Sequence, residues 1–427
     1  MLYSFKYLGG IMAFVYDIKT SKKDNKSSVC LVVCHLLFNV INLFVSTFLI
    51  AHIYTLTSDI FSYVIKVAIF QISAYLVMLV AYYLFSFVVD KTNRIWVYRL
   101  GNILNTALVV VTIFYGKNLA EIVVLAGALK GLADAAYYAS YNVLRHEIIS
   151  RKSVEKFTAV INVLNKIVGV VCPILLGFLI DISTYSMVAV YVLIISLILI
   201  AISFFIKAER PSESSFTIKE YFARLKADEK TYKKIKSVYL TCAFFGVTTA
   251  TQSLLSINIM MLLGSSFSLG LMSGIFAIVS TIVVIMVSKY TEKGKRKILY
   301  IFCSILPVIS AVIFITNPNL LTLIIYNAFI VVTETVNNMI LSIYRYKNLK
   351  EAGLYQDIAE HQCVVESIYQ VVRIVTYFIL ILISLLKNYI LFQVVFVIFV
   401  SLYCVTSLLL FKYEKNEILE QENTRNN

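Results

Sequence analysis

The sequence predicts an all-α membrane protein with twelve transmembrane helices in two pseudo-symmetric six-helix bundles. Three observations carry that prediction. Unbroken apolar runs recur along the chain, each near the ~20 residues that a helix needs to span a bilayer. Lys and Arg gather between alternate runs, which is the charge pattern of a multi-pass topology. A spaced set of charges also returns in the second half: Asp134 and Arg145 are matched 200 residues on by Glu334 and Arg345.

Composition excludes a soluble core, since 60% of the 427 residues are hydrophobic and only 15% are charged. The mean hydropathy is +0.84. The runs also lack the ~10-residue alternation of an outer-membrane barrel strand.

In chain order, residues 1–29 hold a short apolar stretch, Tyr7–Tyr16, with no small-residue cleavage site after it. They read as an interfacial helix and a Lys-rich linker, not a signal peptide. The first six spans are expected at 30–54, 61–89, 95–115, 119–143, 157–181 and 184–206, forming an N-terminal bundle over 30–206. Residues 207–236 form a linker with nine Lys/Arg, and its segment SFTIKEYFARLKADEK has the pattern of an amphipathic helix, with Phe222 and Leu225 toward lipid. Six more spans follow at 237–262, 268–288, 297–316, 319–343, 361–386 and 389–411. They form a C-terminal bundle over 237–411, ahead of a tail at 412–427.

Orientation follows from the basic residues. The termini, the linker and alternate loops hold 32 of the 38 Lys/Arg, whereas the opposite loops hold only Lys117 and Lys387. The positive-inside rule therefore places both termini and the linker in the cytoplasm. The net charge of +14 is a topology signal and an attraction to anionic lipid, and no nucleic-acid partner is expected.

Enzyme chemistry has no footing here. The chain lacks GxxxxGK[ST], HExxH and CxxC, and His35, His52, His146 and His361 are scattered. Cys30, Cys34 and His35 cluster without a fourth ligand, so no metal is expected, and no cofactor either.

The polar residues inside the spans are the candidate site. The hairpin Leu125–Asp181 carries Lys130, Asp134 and Lys166 at membrane depth. Charge there costs roughly 2.5–3.5 kcal/mol on insertion scales and marks a watery path or a bundle interior. Lys130 and Asp134 are four apart, as are Asn162 and Lys166, so each pair shares a helix face. Tyr137, Tyr138 and Tyr141 continue near the first face as aromatic walls with hydroxyl handles. The plainer alternative is a closed salt-bridge cluster that only locks the hairpin. In the second half Glu334, Asn337 and Asn338 lie in the tenth span, and Glu366 and Arg373 in the eleventh. Glu334 is about fifteen residues into its span, where desolvation favours the neutral acid and a nearby cation such as Arg373 would favour the ionised one. That makes Glu334 the expected proton carrier, with Asp134 as its equivalent in the first half.

The turn after the second span reads SFVVDKTNR and the turn after the eighth SKYTEKGKR, placing Asp90 and Arg94, and Glu292 and Arg296, at matching spacings. With two sets of six spans and a basic central loop, the chain resembles the major facilitator superfamily over nearly its whole length. The family's loop pattern is Gly-x-x-x-Asp-Arg-x-Gly-Arg. Here Ser86, Lys91 and Asn93 depart from it while Asp90 and Arg94 are kept. The resemblance implies a cytoplasmic gate at Asp90, Arg94, Glu292 and Arg296. It also implies a central cavity lined by spans one, four, seven and ten, which adds Asn39, Asn42, Thr249 and Gln252 as lining candidates. Gly169, Pro173 and Gly177 form a small-residue stripe on span five that is similar to the family's antiporter motif. Gly270 and Gly274 on span eight are the candidate facing stripe. Lys130 stands where many family exporters carry an Arg.

The expected function is secondary active transport by alternating access, with proton-coupled export of a small, partly apolar compound. Uptake of a sugar, peptide or other metabolite is the alternative, and a non-transporting receptor or assembly partner is a third reading. The expected partners are the substrate, protons and the lipid bilayer. The expected setting is a monomer in a bacterial plasma membrane.

Overall fold

An apolar segment in lipid must satisfy every backbone N–H and C=O within itself, so each hydrophobic run becomes a helix. The computed structural model describes residues 25–91, 93–148, 154–207, 216–250, 258–260, 262–289, 297–351, 353–354 and 357–426, and among these there is no strand. Helix α1 runs Asn25–Leu43, passes through a π-helical turn at Phe44–Phe48 and continues as Leu49–Thr55. It is followed by α2 (Ile60–Lys91), α3 (Arg94–Phe114), α4 (Val123–Ile148), α5 (Val154–Ile182) and α6 (Tyr185–Ser203). The short helix α7 (Ile218–Ala227) precedes α8 (Glu229–Ala250), α9 (Ser266–Lys289), α10 (Lys297–Thr316), α11 (Leu320–Glu351), α12 (Ile358–Leu385) and α13 (Tyr389–Asn426). Ten of these are long and apolar enough to cross a membrane. The two long helices outside that set are α4, which carries interior charge, and α8, whose first turns are Lys-rich.

Three helices overrun the expected ends by eight residues or more. Helix α8 starts at Glu229 and not at 237, α11 continues to Glu351, and α13 extends through most of the expected tail. No Gly or Pro interrupts the added turns, and pairs one turn apart support two of the extensions: Lys233 to Glu229 at 2.7 Å and Lys347 to Glu351 at 3.4 Å.

The chain forms two compact units whose boundaries differ from the 30–206 and 237–411 division. One unit comprises residues up to Thr57, Ile69–Phe216 and Ser265–Gly274. The other comprises Ser58–Ala68, Thr217–Gly264 and the residues from Ile275 onward.

In the first unit, the start of α9 belongs with α5 because small residues bring the two backbones together. A Cβ at Gly270 would collide with Pro173 O, and one at Gly177 with Ser266 O, while one at Gly274 would sit 2.8 Å from Ile174 Cδ1. Asp181 at the end of α5 closes the join, accepting the N–H groups of Ser266 at 3.0 Å and Phe267 at 2.9 Å.

In the second unit, the linker helix α7 is docked on protein, which corrects the lipid-facing expectation for Leu225. Tyr221 and Leu225 are buried with Ile235, Leu349 and Leu354, and Phe222 packs against the same cluster. Arg224 holds Asp357 through two hydrogen bonds of 2.8 and 3.1 Å. Burial pushes the Tyr221 hydroxyl up to about 12. That hydroxyl meets Tyr239 Oη at 2.7 Å and His361 Nδ1 at 3.1 Å.

Candidate functional site

In the first unit, α4 is rich in Ala and Gly, so it approaches its neighbours closely. A Cβ at Gly131 would collide with the carbonyl of Ala74 on α2. One residue before Gly131, Lys130 is buried and forms an ion pair with Asp134 one turn on. The side chains are only 9% and 16% exposed, and Asp134 Oδ1 is buried without a hydrogen-bond partner. The pair is therefore held with one carboxylate oxygen unspent. Lys166 on α5 and Tyr138 on α4 are half-buried.

The structure brings together a second cluster that the sequence did not single out. His35 on α1 meets Tyr137 Oη at 2.8 Å through Nδ1. Asn39 Nδ2 donates to Asn165 Oδ1 of α5 at 2.7 Å and lies 3.2 Å from His35 Nε2. Asn165 Nδ2 lies 3.3 Å from the same nitrogen. The rings stack: Tyr141 on His35 at 4.4 Å and Phe38 on Tyr137 at 3.4 Å between centroids. Tyr137 and Tyr141 are thus buried against α1, Tyr137 through its hydroxyl and both through their ring faces. Asn39 and Asn42 are half-buried, and Asn42 Oδ1 has no hydrogen-bond partner. Behind the cluster, Tyr98, Asn102 and Asn105 form a buried stripe on α3, with Tyr98 Oη, both carboxamide atoms of Asn102 and Asn105 Oδ1 unpartnered. The one-turn spacing of His35 and Asn39 was the readable signal. Asn165 was missed because the 162/166 spacing drew attention to the neighbouring face, where Asn162 is exposed.

In the second unit a polar chain crosses from α11 to α12. Arg345 Nη2 donates to Gln362 Oε1 at 2.7 Å, and Gln362 Nε2 donates to Glu366 Oε1 at 3.1 Å. Gln370 Nε2 reaches Glu366 Oε2 at 3.3 Å, so the carboxylate is clamped from one turn on either side. Arg373 lies 5.3 Å from the centre of the Tyr369 ring. Glu334 is half-buried on α11, and its neighbour Thr335 donates to Ser280 Oγ at 3.0 Å. Asn337 is fully buried and accepts from Ser407 of α13 at 3.1 Å, so it serves helix packing and not a cavity wall. Asn338 is exposed. A cleft of about 200 Å³ in this unit is walled by Phe61, Phe314, Tyr389, Phe392 and Phe396, with Asn258 and Gln393 as its carboxamides.

At the expected gate, Asp90 Oδ2 accepts the backbone N–H of Phe216 at 2.8 Å. Arg94 is buried and its Nε donates to Val89 O at 3.3 Å. Asp90 thus holds a linker amide, and Arg94 a carbonyl of its own turn. Glu292, Arg296 and Gln252 lie outside the described residues, as does the side chain of Thr249. No group of three or more metal-ligating side chains occurs among the described residues.

The family model of the Major Facilitator Superfamily matches residues 28–352. A curated relative, "Uncharacterized protein YqgE" of Bacillus subtilis (strain 168), is 25% identical over 238 residues, which is 55% of this chain and 54% of that protein. The match thus spans about half the length of the curated relative. Among solved structures, a POT family transporter in complex with a thioalcohol conjugated peptide superposes with a TM-score of 0.69 at 10% identity, covering 93% of this chain and 99% of that one. The nucleoside transporter NupG gives 0.66 at 13% identity, covering 92% and 99%. A bacterial homologue of the iron transporter ferroportin gives 0.64 at 12%, covering 91% and 98%. At such identities the likeness is one of fold.

Proposed function

The chain belongs to the major facilitator superfamily and is a secondary transporter, and from that premise we propose proton-coupled export of a small, partly apolar compound by alternating access. Ionisable groups held inside long helices of both units are the observation that carries this reading, because charge at membrane depth is costly and marks ion and substrate paths. The span-five stripe of Gly169, Pro173 and Gly177, similar to the family's antiporter motif, supports an exporter, and Gly177 with Gly270 and Gly274 brings α5 and α9 into close contact. The uncharged, aromatic-walled cleft supports a partly apolar substrate.

Glu334 is the proposed proton carrier, with Asp134 next in line. Uptake of a peptide or nucleoside is the second reading, favoured by the fold likeness to structures of such transporters. The proposed halves are 30–206 and 237–411, apart from the short segments that the units exchange. The proposed setting is a bacterial plasma membrane, with both termini cytoplasmic and the chain working as a monomer.

The test is transport in vesicles with and without an imposed pH gradient. Wild type should accumulate an apolar cationic or neutral dye against its gradient, and Glu334→Gln should abolish gradient-driven accumulation while leaving exchange intact. Concentrative transport by that variant with an unaltered pH profile would remove Glu334 from the role.

A further inference from the structure

With the Asn39 and Asn165 carboxamides oriented as they stand in this structure, the hydrogen bonds around His35 give its tautomer. Asn39 Nδ2 gives one hydrogen to Asn165 Oδ1, and its second is directed at His35 Nε2. Asn165 Nδ2 converges on the same nitrogen. Two carboxamide donors make Nε2 an acceptor, so the ring is neutral and carries its proton on Nδ1, donated to Tyr137 Oη.

The same cage also accommodates the charged ring. Turning both carboxamides over exchanges nitrogen for oxygen and moves nothing else. Both amide oxygens then face Nε2, and Asn165 Nδ2 donates to Asn39 Oδ1. A proton added at Nε2 would be bonded there, while Nδ1–H stays on Tyr137. The Tyr141 ring, 5° from parallel, offers its negative face to the cation so formed.

Among the described residues the surrounding charges are few. On α4, Arg145 stands one turn beyond Tyr141, the ring stacked on His35, and Asp134 lies a turn before Tyr137, already engaged with Lys130. On α3 there is Tyr98, its ring 5.3 Å from that of Tyr137. On α5, Lys166 follows Asn165. Helix α6 presents the Leu199 carbonyl, to which Cys34 Sγ donates at 3.7 Å.

From this geometry we propose that His35 is a proton-binding site of the first unit, held neutral in this conformation and filled when Arg145 is neutralised or drawn away. An anionic group arriving at Arg145 would load the proton, and its departure would release it. The site's place in transport rests on the proton-coupled reading above. Its existence does not.

The experiment is ¹⁵N-histidine NMR of the purified full chain in lipid nanodiscs, with His35→Gln identifying the His35 signals among the four histidines. Wild type is expected to show Nδ1 protonated and Nε2 bare at pH 7. In Arg145→Gln, protonation of both nitrogens should move up by about one pH unit, the size of effect that removing a nearby cation produces. Asn165→Asp, which places a carboxylate beside Nε2, should act in the same direction and covers the case in which Arg145→Gln does not fold. A ring protonated on Nε2 alone at pH 7, or one that neither variant shifts, overturns the proposal. Vesicle transport run in parallel separates the two ideas. Wild type indifferent to a pH gradient removes the coupling reading while the NMR result stands.

Discussion

Lys130 and Asp134 show how a single pair can decide the character of a helix. Each charge alone would be intolerable at that depth, and together they are nearly neutral to their surroundings. Asp134→Asn should therefore destabilise the protein by about 3–5 kcal/mol by stranding the lysine, whereas Lys130→Met combined with Asp134→Leu should cost far less. A double-mutant cycle on thermal unfolding in detergent measures the coupling, and additive costs would mean that the two residues do not act as a pair. Asp59 gives a simpler case outside the spans. It accepts from the N–H groups of Phe61 and Ser62 at 2.9 and 3.0 Å and from the Ser62 hydroxyl at 2.5 Å. Those hydrogen bonds, with Ser62 foremost and Lys387 adding a small charge effect, hold its carboxyl below the usual range. A depressed acid contributes stability above its unfolded value, and that contribution is lost as pH falls through the folded value. Exchange protection at the start of α2 should thus fall on acidification in wild type and stay low at every pH in Asp59→Ala. Equal protection in the two chains at neutral pH would refute the cap.

The linker helix is the element whose role changed most between sequence and structure. Its amphipathic face is real, but Tyr221 and Leu225 pack into protein and Arg224 is fastened to Asp357. Leu225→Ala should loosen α7, seen as faster hydrogen exchange over 218–227 and earlier proteolysis in the linker, with a loss of about 2–3 kcal/mol of local stability. Unchanged exchange would return the helix to the lipid surface. A parallel argument holds for α9. Because Gly270 lies against backbone and not against a flexible side chain, Gly270→Val cannot be absorbed by a rotamer change. It should lower the melting temperature and abolish transport, while the same change at Gly264, whose Cβ would meet nothing, tests only its positive φ of 66°.

For the molecule as a whole, the proposed gate can be tested at Asp90, the carboxylate that holds the linker amide. Asp90→Asn keeps the size of the acceptor to Phe216 N–H but removes its charge. Transport should fall several-fold with membrane level near normal, and unchanged transport would make the turn a topology signal alone.

What could be read from the chain by itself was what periodicity and solvation dictate. Apolar length sets the spans, the basic loops set the expected orientation, and the doubled Asp/Glu and Arg spacing announced two related halves. Lys130 and Asp134 were also legible, because residues four apart on one helix meet whatever surrounds them. Only the tertiary structure decided which polar residues meet across helices. Asn165 and not Asn162 faces α1, Asn337 faces α13, and His35 finds Tyr137 more than a hundred positions away. Helix phase is known from sequence to within a residue or two. A shift of one position turns a side chain by 100° and changes its partner, so contacts between helices become definite only when the helices pack.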